Sequence, residues 1–294
     1  MNVIECKNLT HYYGEKLVYE NLNFAVQKGS ILGLLGKNGT GKTTTINILN
    51  GFLQPRSGEC LIYGENTQHL SPENKARIGY LIEGHIQYSF MNIQQIEKFY
   101  ARFYPKWNKE PYWELMSKLK VTPRQKISSM SCGQRSQVAL GLILAQDPDL
   151  LILDDFSMGL DPGYRRLFID YLREYAKAKN KTIFTTSHII QDMERLIDDV
   201  LIMDFNRVLA QRRVGDFLQN FNQYNFELEN PNIDFSKEGF VVNVEKVNNK
   251  VELFTYEPEE YIKNFLSQNG INYYNFLNVK MGLEDAFIGL TGKY

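Results

Sequence analysis

Apolar positions change their spacing several times along the chain, and each change marks a different kind of element. In residues 1–35, Val3, Leu9, Leu22, Phe24 and Val26 alternate with polar neighbours, and Lys28-Gly29 marks a turn. This pattern predicts short strands with one covered face. Ile31 to Leu35 is an unbroken apolar run, the signature of a strand covered on both faces in a parallel sheet. A helical stretch follows from Thr43 to Leu53. From about residue 90 to 148 the period is helical, as in Ile93, Ile96, Phe99 and Tyr100, or Val138, Leu140, Leu142 and Ile143 before the stop at Asp147-Pro148.

Strands return at Leu150 to Leu153 and Thr182 to Thr186. They flank a helix from Tyr164 to Lys179 that carries Leu167, Phe168, Tyr171, Leu172 and Tyr175 on one face. Strand, helix, strand in this order predicts a parallel α/β sheet. After Ile202 the character changes. Val241 to Val247 and Lys250 to Tyr256 read as a hairpin around Asn248-Asn249. A helix over Glu259 to Ser267, a strand near Tyr273 and a last helix over Leu283 to Leu290 complete a small C-terminal α+β domain from about residue 217.

Composition narrows the picture. The chain has 294 residues, enough for one large domain or two modest ones. Its 43% hydrophobic and 23% charged content is ordinary for a globular protein. A formal net charge of −1 gives no field that would draw nucleic acid or an anionic membrane. The three cysteines, Cys6, Cys60 and Cys132, are too scattered for a disulfide framework or a metal site, so reduced thiols are expected. The opening MNVIECKNLT lacks a signal-peptide pattern. Val138 to Ala145 is the longest apolar run, well short of the roughly 20 residues a membrane-spanning helix needs.

Two motifs carry chemistry. Gly36-Lys37-Asn38-Gly39-Thr40-Gly41-Lys42-Thr43 fits the pattern G-x-x-x-x-G-K-[ST] between an apolar strand and a helix. Glycines let backbone N–H groups close around triphosphate oxygens, and the helix adds its positive N-terminal end. Lys42 is expected to reach the β/γ oxygens, Thr43 to bind Mg²⁺, and Thr44 to join the phosphate contacts. The second motif is the strand Leu150 to Leu153, which ends in Asp154-Asp155. At the carboxyl end of a parallel strand these acids face the ligand crevice. Asp154 would hold Mg²⁺, mostly through water. Asp155 would polarise the attacking water. Together they predict Mg·ATP as the bound cofactor, although a simple P-loop kinase or GTPase shares this much.

Met130-Ser131-Cys132-Gly133-Gln134 then resembles the signature of the nucleotide-binding subunits of ABC transporters. The resemblance covers about residues 1–216. It implies a P-loop NTPase core with a mixed sheet (1–84 and 149–216), an inserted helical subdomain (85–148) and a C-terminal accessory domain (217–294). In the family, Ser131, Gly133 and Gln134 would meet the γ-phosphate of ATP held by an opposite subunit; a plain N-cap at Ser131 is the other reading. Tyr13 matches the aromatic that stacks on adenine, with a core role as the rival. Asp161, in Gly159-Leu160-Asp161, matches an interface loop, or simply starts a turn before Pro162. His188 matches the switch histidine that contacts the γ-phosphate. The tail Gly282 to Phe287 with Leu290-Thr291-Gly292, and the segment Phe103 to Asn108, resemble the ABC-2-type group that includes multidrug and bacitracin exporters. The aromatic segment reads equally as filling for a small helical core.

The sequence departs from the family at three positions. Glu83 stands where a glutamine contacts Mg²⁺, and its carboxylate would take that catalytic and metal-binding place. Cys132 replaces a glycine. Asp155 stands where the water-activating glutamate is usual; its carboxylate sits about 1 Å further back, a shift that can cost on the order of 100-fold in rate. Slow intrinsic hydrolysis, or hydrolysis that depends on a partner adjusting the geometry, is therefore expected. The resemblance implies an export ATPase at the cytoplasmic face of the membrane. It would work as a homo- or heterodimer with a separate permease and without nucleic acid. A soluble ABC ATPase acting on ribosomes or DNA is the alternative; such relatives usually carry two cassettes or a coiled-coil insertion, which this chain lacks.

Overall fold

The computed structural model describes residues 1–81, 88–118, 121–157, 159–205 and 207–292. The chain divides into two compact units, Met1–Gln211 and Arg212–Tyr294. In the first, the elements run β1 (Asn2–Tyr13), β2 (Lys16–Gln27), β3 (Ile31–Gly36), α1 (Lys42–Leu49), β4 (Ser57–Ile62), β5 (Glu65–Asn66), α2 (Pro72–Lys75), β6 (Ile78–Leu81), α3 (Ile93–Tyr100), α4 (Lys109–Lys118), α5 (Cys132–Ala145), β7 (Leu150–Asp154), α6 (Pro162–Ala178), β8 (Thr182–Thr186), α7 (Ile190–Leu196), β9 (Asp199–Asp204) and β10 (Arg207–Arg213). The second holds α8 (Val214–Asn220), β11 (Asn222–Leu228), β12 (Val241–Val247), β13 (Lys250–Thr255), α9 (Glu259–Gln268), β14 (Tyr273–Val279) and α10 (Leu283–Thr291).

The first unit is built on two sheets. One has the order β10-β9-β3-β8-β7-β6 and is parallel from β9 through β6. Every residue of β7 and β8, and all of β3 except Gly36, is at least nine-tenths hidden. That explains their lack of alternation: helices cover one face and the second sheet the other. The second sheet, β2-β1-β4-β5, is antiparallel. Its inward residues Ile4, Leu22, Phe24, Val26 and Ile62 share one core with Leu32, Leu34, Ile46, Ile152 and Phe184. The expected short strands at the N-terminus are two 12-residue strands, bent by register shifts at several points along their pairing.

The cysteine expectation is corrected here. Cys6 and Cys60 are directly paired across β1 and β4, with Cα atoms 4.4 Å apart, and they form a disulfide. Both are buried; Cys132 alone is a free, exposed thiol among the described residues. The pairing follows from sheet register, which joins residues 54 positions apart in sequence.

In the second unit, strands in the order β12-β13-β11-β14 form an antiparallel sheet. Ile262 and Leu266 of α9 pack with Tyr224, Phe226, Leu253 and Val251 of the sheet. Phe254 belongs to the opposite pleat and stacks on Phe221, just after α8, while Gly289 of α10 leaves room for its ring.

Candidate nucleotide site

The loop between β3 and α1 is shaped by its glycines. Gly39 and Gly41 have φ of 83° and 100°, a region closed to most side chains. A Cβ on Gly41 would lie 2.7 Å from the Tyr19 ring, so the loop also needs glycine there for space. Thr40 is fully buried and its hydroxyl donates to the Lys37 carbonyl at 2.9 Å, which folds the loop back on itself. Thr45 closes the first turn of α1 by donating to Gly41 O. Lys42 Nζ donates to the carbonyls of Gly36 at 2.7 Å and Lys37 at 3.1 Å. The ammonium is thus held at the mouth of the loop. Burial pushes its pKa below the ordinary lysine value, while the charges of Asp155 and Asp154 pull it back up.

A cleft of about 250 Å³ opens over this loop, lined by Tyr13, Lys16, Val18, Asn38, Gly39, Gly41, Lys42, Thr43, Thr44 and His188. Thr43 is exposed to it. Tyr13 is 52% exposed, which removes the core reading of that ring, and its hydroxyl shares a 3.4 Å hydrogen bond with Thr44 Oγ1. Lys16 and Val18 are cleft residues that no sequence signal marked; only the β1–β2 register brings them there.

The acids sit at the carboxyl end of β7. Asp154 is 7% exposed and accepts from Thr186 Oγ1 at 2.6 Å. Burial raises its pKa, the neighbouring Asp155 charge adds to this, and the Thr186 hydrogen bond opposes it. Thr186 does double duty, since Asp155 N donates to both its carbonyl and its hydroxyl. Asp155 has φ of 45°, an uncommon left-handed value that aspartate tolerates better than most residues. Its Oδ1 accepts from the His188 backbone N–H at 3.3 Å. Its Oδ2 lies 3.5 Å from His188 Nε2 and has no hydrogen-bond partner among the described residues. A buried carboxylate oxygen left open beside an exposed histidine is poised to take a proton or orient a water.

Other expected residues lie elsewhere. Ser131, Gly133, Gln134 and Asp161 are not among the residues lining the cleft of their own chain. Ser131 is the N-cap of α5. Its Oγ accepts from Gln134 N while Gln134 Oε1 accepts from Ser131 N, a complete capping box. The serine hydroxyl hydrogen is still available to an outside acceptor. Asp161 caps α6 by accepting from Gly163 and Tyr164 N–H groups. The two turns pack together: a Cβ on Gly133 would sit 3.0 Å from Leu160, and one on Gly159 3.2 Å from Cys132 Sγ. Glu83 lies outside the described residues. Thr186, which aligns both acids, was not marked by the sequence; its signal was only its place at the end of β8 beside β7.

Comparison with known proteins agrees with this fold. A family model described as ABC transporter matches residues 19–157. Nod factor export ATP-binding protein I of Cupriavidus metallidurans is 28% identical over 306 residues, spanning 99% of this chain and 98% of that protein. Bacitracin transport ATP-binding protein BcrA of Bacillus licheniformis is 28% identical over 298 residues, spanning 99% and 97%. A solved structure of an ATP-binding subunit of an ABC transporter superposes with a TM-score of 0.64 at 26% identity, covering 74% of this chain and 92% of that one. Residues 19–157, which hold the phosphate loop and the acidic strand end, therefore match an ABC transporter ATP-binding domain, and nearly the whole chain is similar to ATP-binding proteins of such transporters.

Proposed function

We propose that the chain is the ATP-hydrolysing subunit of an exporter. It would act at the inner face of the membrane through a separate membrane-spanning permease. No helix among the described residues is long and apolar enough to cross a membrane. Relatives matched along nearly the whole chain carry the names bacitracin transport and Nod factor export, which supports export over other uses of the fold.

One observation carries the mechanism. The phosphate loop and His188 line one cleft, with Asp155 against that histidine, whereas the Ser131 turn is not part of the cleft lining. A head-to-tail dimer would complete the site. Backbone N–H groups of Gly36 to Thr43 and the Lys42 ammonium would bind the triphosphate of one subunit. The Ser131 hydroxyl, with the α5 N-terminus behind it, would donate to the γ-phosphate from the other. Tyr13 would stack on the base. Asp161 would lie at the interface, and Glu83 would complete the metal side. Asp155 would accept the water's proton while His188 holds the γ-phosphate side.

The donor set suits Mg²⁺. Thr43 and Asp154 offer hard oxygens, and a cation beside Asp154 would offset the burial that raises its pKa. When bound, Mg²⁺ would neutralise developing phosphate charge. Phe90 and Phe103 are 71% and 64% exposed. Edge-to-face contacts of 6.0, 5.2 and 5.1 Å run from Phe90 through Tyr88 and Phe99 to Phe103. This aromatic surface, where a membrane-borne helix would dock, would transmit closure to the permease. Affinity capture from detergent-solubilised membranes tests the assignment. Co-purification with a protein of several hydrophobic spans is expected; recovery with ribosomes or DNA would contradict it.

A further inference from the structure

Tyr13 is held from behind by a residue with no assigned part in nucleotide binding. His11 is only 4% exposed, yet neither of its ring nitrogens has a hydrogen-bond partner among the described residues. Burying two such nitrogens without partners is unfavourable. The described contact its ring makes is with Tyr13: the centroids are 4.9 Å apart at 79°, an edge-to-face pair. The β1–β2 register shifts on both sides of His11, between Leu9 and His11 and between His11 and Tyr12. Irregularities of this kind re-aim side chains beside functional sites.

The Tyr13 ring also divides two clefts. On one side is the nucleotide cleft over the phosphate loop. On the other is a wider, open cleft of about 580 Å³, lined by His11, Tyr13, Leu53, Gln54 and Arg56 among others. An exposed tyrosine between two openings has two directions to turn. Its hydroxyl is tethered at Thr44, and the His11 ring braces its body. Two fixed points define the plane of the ring, so less ordering remains when a base arrives. Burial, helped by the Arg56 charge, lowers the His11 pKa and keeps the brace an uncharged ring at neutral pH.

We infer that His11 is a positioning residue that fixes the Tyr13 ring as a platform for the nucleotide base, and so sets base affinity and base selectivity. This rests on the proposed stacking role of Tyr13. The edge-to-face contact is of a size that makes base affinity respond by about 3- to 10-fold.

The test uses the full-length chain and equilibrium binding of Mg·ATP, Mg·GTP and inorganic triphosphate. His11→Leu fills the same space without an aromatic edge, and His11→Phe keeps the edge. Expected are a loss of ATP affinity of about 3- to 10-fold in His11→Leu, a smaller ATP-over-GTP preference, triphosphate affinity unchanged within about 2-fold, and recovery in His11→Phe. Tyr13→Ala serves as the reference. If Tyr13→Ala binds ATP as the parent does, the platform reading fails and this inference fails with it. If Tyr13→Ala loses affinity but His11→Leu does not, the inference alone is overturned. A parallel loss of triphosphate in His11→Leu, or no recovery in His11→Phe, also overturns it by reducing His11 to a fold-supporting residue.

Discussion

Asp155 concentrates the tension between geometry and rate. Its backbone is left-handed at φ 45°, a conformation easier for aspartate than for glutamate. Asp155→Glu is predicted to raise steady-state phosphate release by returning the carboxylate about 1 Å, and to lower stability by about 1–2 kcal/mol. Asp155→Asn keeps the shape and removes the base, so release should fall by at least about 10-fold. Phosphate-release assays with thermal melts check both outcomes. The acid beside it gives a pH prediction. The pKa of Asp154 is raised in the fold, so its proton leaves at higher pH than from an ordinary carboxyl and competes with Mg²⁺ over a higher range. Thr186→Val removes the hydrogen bond that opposes this rise. The acid limb of the rate profile should therefore move to higher pH, and the Mg²⁺ needed for half-activation should increase.

His11 has the opposite sign of linkage. Its folded pKa lies below the ordinary value of 6.5, so the unfolded chain takes up the proton first as pH falls. Its effect on stability is absent well above pH 6.5 and becomes a loss as pH falls below it. Denaturant midpoints from pH 7.5 down to 5.5 should drop less in His11→Phe than in the parent chain.

At the scale of elements, the functional strands and helices were the most legible part of the sequence. β3 and β7 announced themselves as apolar runs, and the loop at Gly36 to Thr43 and the acids at Asp154-Asp155 lie at their ends as read. What escaped was set by register between distant strands. The Cys6–Cys60 bond, the cleft positions of Lys16 and Val18, and the support from Thr186 all depend on which strands become neighbours. The Ser131 turn shows why a motif can serve two purposes. As an N-cap, Ser131→Ala should cost about 1 kcal/mol of stability. Ser131→Asp keeps a good cap but places a negative charge toward the proposed γ-phosphate. Its melting temperature should stay close to that of the parent while ATP-dependent association is lost. Equal association in Ser131→Asp and parent would leave Ser131 with a structural role only.

At the scale of the whole molecule, the chain holds a phosphate loop, two acids and a histidine at the carboxyl ends of the parallel strands, and a capped helix start that does not line that cleft. In the proposed mechanism these are two halves of a site that closes only between two copies or with a similar partner. The most direct measurement is the solution mass of the Asp155→Asn chain with and without Mg·ATP, by light scattering after gel filtration. A species of 34.2 kDa is expected without nucleotide and one of twice that mass with it. Ser131→Asp should remain at the smaller mass under both conditions. ATP that binds tightly to Asp155→Asn without any change in mass, at protein concentrations well above the ATP dissociation constant, would contradict the composite site.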